Sequence, residues 1–350
     1  MKNILVTGGC GFIGSHVALS LLKKGYNVFV VDSNINSSVA IIKRIESLSK
    51  NNNDKKTGKI LFFKGNIRNQ KFLEEIFIKN ARNGYNIDAV IHLAGLKSVR
   101  ESIKYPNRYW DNNVNGSLTL LNTMIANDCF KLVFSSSATV YGHPKSTPIF
   151  EDFETKPINP YGQTKLRVEN IIKEKFLHYS DQFKVIVLRY FNPIGAHYSG
   201  MIGEQWKYCP DNIFPNILKV ALRKIEYLKI YGNNWPTLDG TTIRDFIHVM
   251  DLAEGHVASI DYMKKRESHY LILNLGTGIG TSILELINKF QSTNEIDIPL
   301  KFFQQREGDT PFLLADSKSA RKILNWETTR NLSHMCKDGW QFAKQNPNCF

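Results

Sequence analysis

The chain has 350 residues, is 42% hydrophobic and carries a formal charge of +13, enough to bury a large core and to form two domains or one with a large lobe. No apolar run approaches the ~18 to 20 residues that span a bilayer, and the first strand pattern opens at Asn3, which argues against a membrane anchor or leader. The lysines are spread without a dense basic block interleaved with aromatics, so the charge is background composition and no nucleic-acid partner is expected. The five cysteines, Cys10, Cys129, Cys209, Cys336 and Cys349, are scattered without a CxxC pair, which fits reduced thiols, a cytoplasmic location and no metal site.

In chain order, the apolar run Ile4-Leu5-Val6 breaks directly into Gly8, Gly9, Gly11 and Gly14, and a helical pattern follows through Ile13, Val17 and Leu21. Strand, tight turn and helix are predicted. Gly8 permits the turn, Gly11 lets backbone approach a phosphate, and Gly14 lets helix pack on strand, whose neighbouring helix N-terminus attracts a pyrophosphate. A second strand, Asn27 to Val31, ends in Asp32, eighteen positions after Gly14. A carboxylate there accepts from both adenosine ribose hydroxyls and repels a 2′-phosphate, so the cofactor is expected to be NAD, not NADP.

A helix at about Val39 to Leu48 and a solvated tract, Ser49 to Lys59, precede a strand at Lys59 to Lys64, then Gly65-Asn66-Ile67. The helix Lys71 to Lys79 feeds a buried strand, Asp88 to Leu93, ending in Ala94-Gly95. A helical stretch with Trp110, Val114, Leu118, Leu121 and Ile125 on one face leads to a fifth strand, Lys131 to Phe134. This alternation predicts an α/β fold, a Rossmann-type doubly wound parallel sheet with ligands at the carboxyl ends of its strands.

The fifth strand therefore delivers Ser135, Ser136 and Ser137, then Ala138, Thr139 and Tyr141, to the cofactor edge. The next helix opens Asn159-Pro160-Tyr161 and carries Lys165 on the same face, one turn on. A phenol with an ordinary pKa near 10 needs a shift of ~3 units, or ~4 kcal/mol, to act as a base at neutral pH. One cation about 5 Å away at an effective dielectric of ~20 supplies roughly 3 kcal/mol. Lys165 is expected to provide that charge, the oxidised nicotinamide the remainder, and Ser137 to relay the proton or fix the substrate hydroxyl.

Beyond Phe191 the elements shorten: a helix Phe214 to Arg223, a strand Tyr227 to Tyr231, a strand about Phe246 to Val249 and a helix Asp251 to Lys264. Residues 1–191 are expected to form the cofactor-binding domain and 192–350 a smaller α/β substrate lobe, with segments at about 243–269 packing back on the first domain. The site falls in the cleft between them. His178, His248 and His256 lack metal-ligand grouping and are expected to be structural.

The stretches VTGGCGFIGSH, IHLAGLKSV, DNNVNG, VFSSSATVYG, NPYGQTK, LRYFNPIGAH, IRDFIHVMDLAEGH, LNLGTG and REGD together resemble the extended short-chain dehydrogenase/reductase superfamily. Within it they are most similar to the UDP-glucose 4-epimerase (UDP-galactose 4-epimerase) family, from residue 4 to Asp309. The resemblance implies Ser137, Tyr161 and Lys165 as the catalytic set. It places NAD on Gly8, Gly11, Phe12, Ile13, Gly14, Asp32, Asn36, Asn66, Ile67, Leu93, Ala94, Lys97, Asn112, Ser135, Tyr161, Lys165, Tyr190 and Phe191. It places the nucleotide sugar on Lys97, Ser137, Thr139, Tyr161, Asn192, Asp211, Asn212, Ile213, Lys229, Ile230, Tyr231, Arg244, Arg306, Asp309 and Leu313. Arg244 and Arg306 are planar forks suited to a diphosphate.

The implied reaction is reversible epimerisation of UDP-galactose and UDP-glucose at C4 through a 4-keto sugar, in galactose metabolism and UDP-sugar supply. A homodimer is implied as well, with the apolar face at Trp110 to Leu121 as its candidate surface. The chain departs from the family pattern at Asn66 (commonly Asp), Asp211 (Asn), Phe246 (Tyr) and Gln305 (Arg). Leu313 aligns with a position where a small residue admits N-acetyl groups and a Tyr closes the pocket, which leaves UDP-N-acetylhexosamines open as substrates. A 4,6-dehydratase of the same superfamily would carry Asp-Glu directly after Ser137, where this chain has Ala138-Thr139. A non-catalytic NAD-sensing protein would have no use for an activated phenol.

Overall fold

The computed structural model describes residues 2–50, 57–205, 212–264, 267–306 and 308–349. Asp211, Cys209 and part of the polar tract between the second helix and third strand lie outside the described residues. Six strands come from residues 1–191: β1 (Asn3–Thr7), β2 (Asn27–Asp32), β3 (Ile60–Lys64), β4 (Ala89–His92), β5 (Lys131–Ser137) and β6 (Lys184–Tyr190). The remainder adds β7 (Asn192–Ile194), β8 (Leu228–Tyr231), β9 (Ile243–His248), β10 (His269–Leu275), β11 (Gly280–Ser282), β12 (Leu300–Phe303) and β13 (Phe312–Leu313). The main sheet has seven strands in the order β10-β6-β5-β4-β1-β2-β3, all paired in parallel. It is an α/β doubly wound sheet, and its strand order reverses between β1 and β4, where such sheets bind ligands.

Because helices cover both faces, the strands are near-continuous apolar runs and not alternating ones. Ile4 and Val6 point into one layer, with the helices Phe12–Lys23 and Val249–Lys264. Leu5, between them, points into the other, with helices Gln70–Arg82, Gly116–Ala126 and Pro160–His178. A third core gathers Phe214, Ile217, Ile230, Leu286, Phe290, Met335 and Phe342 in the C-terminal part. There β9 pairs with β11, β13 and β7, and β8 with β12.

Three features differ from the sequence expectations. The fifth strand continues to Ser137, because β6 is long enough to pair with Ser135, Ser136 and Ser137; polar side chains hid that extension. The stretch at Trp110 begins as a π-helical turn, Trp110–Asn115, before the α-helix Gly116–Ala126. Its Val114 and Leu121 are buried in the core, and Trp110 is 38% exposed. Asp251 does not open its helix, which starts at Val249; it accepts instead from Thr329 Oγ1 and the backbone N–H of Arg330.

The chain also returns to its beginning. After the helix Val249–Lys264 has packed against Phe12–Lys23, β10 pairs with β6 along seven registered positions, His269 to Leu275. The substrate-side elements are thereby fixed to the cofactor-side sheet. No described helix is long and apolar enough to cross a membrane.

Candidate active site

A cleft of about 1680 Å³ opens along the carboxyl ends of the main-sheet strands. Every described residue assigned above to the catalytic set, NAD or the nucleotide sugar lines it, from Gly8 and Asp32 at one end to Arg244, Arg306 and Leu313 at the other, whereas Ser136 and Tyr141, expected at the cofactor edge, turn away to donate to Glu169 and Asn274.

At the first end, Gly8 takes φ +72°, and a Cβ there would lie 2.8 Å from Ala94 N. Only glycine meets both demands. A Cβ on Gly14 would stand 2.1 Å from Gly8 O, so helix and turn pack with no room for a side chain. Gly11 is the N-cap of Phe12–Lys23, and no side chain caps that end. Its N-terminal amides and positive dipole end therefore suit an anion supplied by a ligand. Asp32 Oδ2 accepts from Cys10 N at 2.9 Å, and Oδ1 from Asn34 N and Ser37 Oγ, both at 2.9 Å. The carboxylate is thereby fixed against the turn. This constellation fits a dinucleotide. Asn66 lines the same end, and its amide oxygen accepts from Arg68 N at 3.0 Å and Arg68 Nε at 3.2 Å.

In the middle, helix Pro160–His178 is capped by the Asn159 side chain, which accepts from Gly162 N at 2.9 Å, with Pro160 in its first turn. Tyr161 and Lys165 are buried one turn apart, at 9% and 7% exposure. Lys165 Nζ donates to Ser135 O at 2.8 Å and sits 5.9 Å from the Tyr161 ring centroid. Burial lowers its pKa to about 8, opposed by Glu169. Burial raises the Tyr161 phenol above its ordinary value, while a hydrogen bond with Ser137 and the charge of Lys97 pull it down. The Lys165 ammonium is directed at the Ser135 carbonyl beside the phenol, and the charge of Lys97 bears on the phenol as well. Ser137 Oγ accepts from Thr139 Oγ1 at 3.0 Å, and the hydroxyls of Ser135 and Tyr190 are hydrogen-bonded to each other.

At the far end, Arg244 Nη1 donates to Ile243 O at 2.9 Å and Thr310 O at 2.8 Å. Burial draws its pKa down, countered by Asp309. Arg306 lies 3.7 Å over the Tyr231 ring, a stacked cation at the rim. The buried Asn192 Oδ1 has no hydrogen-bond partner, an orphan acceptor aimed at ligand chemistry. Leu313 pairs with Arg244 through β13 and packs on the cluster of Val140, Ile149 and Phe191.

Several residues that shape the site escaped the sequence reading. Asp245, fully buried, accepts from Thr277 N, Thr277 Oγ1, Gly278 N and Ala315 N, binding β9 to two loops; burial pushes its carboxyl up. Glu169 and Arg189 form a bidentate buried pair at 2.6 and 3.0 Å, and Ser136 donates to Glu169. Asn113 holds Leu96 through both backbone groups and donates to Thr164 Oγ1 at 3.1 Å. Asp245, Arg189 and Asn113 lie in motifs noted above and Glu169 does not, and only long-range contacts reveal their use. Buried Glu204 pairs with Lys97 at 2.6 Å.

The sheet, the glycine turn and the Ser-Tyr-Lys set define an extended short-chain dehydrogenase/reductase. A family model described as GDP-mannose 4,6 dehydratase matches residues 5–339. The UDP-glucose 4-epimerase of Dictyostelium discoideum is 46% identical over 99% of this chain and 96% of its own length; that of Neisseria meningitidis serogroup C is 45% identical, with 99% of each covered. The crystal structure of the UDP-glucose 4-epimerase from Bifidobacterium longum in complex with NAD+ and UDP superposes with a TM-score of 0.92 at 40% identity, covering 100% of both chains. Within that superfamily, this chain belongs to the UDP-glucose 4-epimerase family of enzymes.

Proposed function

We propose that the chain interconverts UDP-galactose and UDP-glucose at C4, with NAD held by the glycine turn and Asp32. The observation that carries this reading is the single cleft holding Ser137, Tyr161 and Lys165 between an uncapped dinucleotide helix and the arginines Arg244 and Arg306. Bound NAD would supply the hydride acceptor at sugar C4 and the donor to the opposite face of the resulting 4-keto sugar.

The chain's own residues do the rest. Tyr161 Oη takes the proton of the 4-hydroxyl and returns it, with Ser137 holding the same hydroxyl. Lys165 fixes the helix register through Ser135 O and adds positive charge beside the phenol. Arg244 and Arg306 hold the diphosphate, and the buried Asn192 oxygen accepts from a ligand hydroxyl. Binding energy from this remote, non-reacting part retains the sugar while it turns over within the cleft. Ala138 and Thr139 put no carboxyl beside Ser137 for eliminating water, which favours epimerisation over dehydration although the matching family model carries a dehydratase description.

A role in galactose metabolism and UDP-sugar supply in the cytoplasm follows from this reaction. Residues 1–191 then act mainly on the cofactor and 192–350 on the nucleotide sugar. A homodimer belongs to this reading, with the face at Trp110 to Leu121 as its candidate surface. The test is incubation of purified protein, without added cofactor, with UDP-galactose, followed by NMR of the anomeric and H4 protons. Conversion to UDP-glucose is expected, reduced about 10²- to 10⁴-fold in Tyr161→Phe. No conversion even with NAD+ supplied would refute the proposal.

A further inference from the structure

The two-stranded ribbon of β8 and β12 lies at the nucleotide-sugar end of the cleft, and its two faces differ. Leu228 and Ile230 are buried in the third core. Alternation along the strand turns Tyr227, Lys229 and Tyr231 to the opposite face. The parallel register sets Lys301 beside Lys229 and Phe303 beside Tyr231, so this outer face carries three aromatic rings and two lysines, joined at its end by Arg306. Each cation sits over a ring: Lys301 Nζ lies 3.9 Å from the Tyr227 centroid, Lys229 Nζ 5.3 Å from that of Phe303, and Arg306 Cζ 3.7 Å from that of Tyr231. The rings pack on one another in turn, Tyr227 against Phe303 with planes 11° apart and centroids 6.4 Å apart, and Phe303 against Tyr231 at 6.0 Å. None of these three cations forms an ion pair with a described carboxylate. A cation held on a ring keeps its charge for an incoming anion. Tyr227, Lys229, Tyr231 and Arg306 line the cleft, whereas Lys301 and Phe303 stand outside it, so the charged strip runs from the surface inward.

We infer that this face is a docking strip for the diphosphate of the incoming nucleotide sugar, with Lys301 as its outermost cation. The inference rests on the proposal that the substrate is a nucleoside diphosphate sugar, and not on the reaction that follows. The diphosphate is the charged part of such a ligand, and a row of like charges along a cleft mouth draws it in before any fixed contact forms. Paired strands lie about 5 Å apart, so Lys301 and Lys229 stand within one Debye length, ~8 Å at physiological ionic strength, and their fields add. Of the carboxylates that line this end, Asp309 bears on Arg244 and Glu226 directly precedes Tyr227. Lys301 lies outside the cleft that holds Tyr161, so its charge acts on the encounter and not on the chemical step. The strip is therefore expected to set the rate at which the nucleotide arrives, leaving its rate of departure and kcat alone.

The experiment measures association and dissociation of UDP by stopped-flow fluorescence, for which Trp235 is a local reporter: its Nε1 donates to Tyr231 O at 3.3 Å. Wild type is compared with Lys301→Gln, Lys301→Glu and Tyr227→Leu over a range of salt concentrations, with uncharged uridine as the control ligand. Lys301→Gln is expected to slow UDP association about threefold at low salt and Lys301→Glu about tenfold. Both should converge on the wild type near 1 M salt, where the Debye length falls to ~3 Å. Dissociation of UDP, association of uridine and kcat at saturating UDP-galactose should stay unchanged. Tyr227→Leu removes a ring and keeps the charge, so it should retain the salt dependence of the wild type. Unchanged association in both Lys301 variants, an effect carried by the dissociation rate, or an equal effect on uridine overturns the inference. Failure of the wild type to bind UDP overturns it together with the nucleotide-sugar reading, whereas UDP binding without turnover of UDP-galactose refutes the reaction alone and leaves the association rates to decide the docking strip.

Discussion

The Lys165 ammonium donates to the carbonyl of Ser135 at 2.8 Å, tying the helix that carries Tyr161 to the strand that carries Ser137. The pKa of this buried lysine falls from 10.5 to about 8, so below pH 8 the fold bears the cost of a buried charge. Between about 8 and 10.5 the unfolded chain binds the proton and the folded one does not, so stability rises with pH across that window. The gain over the whole window is ~3 kcal/mol. Denaturant midpoints measured across it should climb for the wild type relative to Lys165→Met. A difference independent of pH would contradict the buried charge.

Glycine substitutions in the turn should separate packing from ligand binding. The Cβ of Gly14→Ala would collide with Gly8 O, whereas that of Gly11→Ala would meet only Gly8 O at 3.2 Å. Gly14→Ala is expected to lose about 1–3 kcal/mol of stability. Gly11→Ala should keep its melting temperature but release dinucleotide, measured as NAD retained after gel filtration.

The buried Glu169–Arg189 pair ties the catalytic helix, which carries Glu169, to β6, which carries Arg189. Glu169→Gln strands the Arg189 guanidinium and should cost about 3–5 kcal/mol in urea unfolding. A joint Glu169→Leu/Arg189→Met change removes both charges and should cost less than the single one. Equal or greater loss in the double variant would show that the pair stabilises the fold on balance.

Leu313 stands on β13 beside Arg244, half-buried at the sugar end of the cleft. Trimming it to Ala is expected to raise kcat/KM for UDP-N-acetylgalactosamine relative to UDP-galactose by about tenfold, and Leu313→Tyr to lower it. Parallel assays on the two substrates check both directions.

What the sequence determined by itself was local and periodic. The run Ile4-Leu5-Val6 breaking into glycines, Asp32 at the end of the next strand and Tyr161 with Lys165 one helical turn apart are short-range patterns. They were legible because a parallel sheet covered on both faces demands continuous apolar strands with ligands at their carboxyl ends. The second lobe was less legible, because its short strands pair with partners remote in sequence: β9 lies between β11 and β13. Tertiary structure alone decided that β10 completes the first sheet, that Val114 and Leu121 are buried in the core, and that Asp245 joins two loops. It alone aimed Lys165 at a carbonyl and brought Glu204 to Lys97 across 107 positions of chain. A buried charge is located by its partner, and a partner that distant leaves no periodic signal in the sequence.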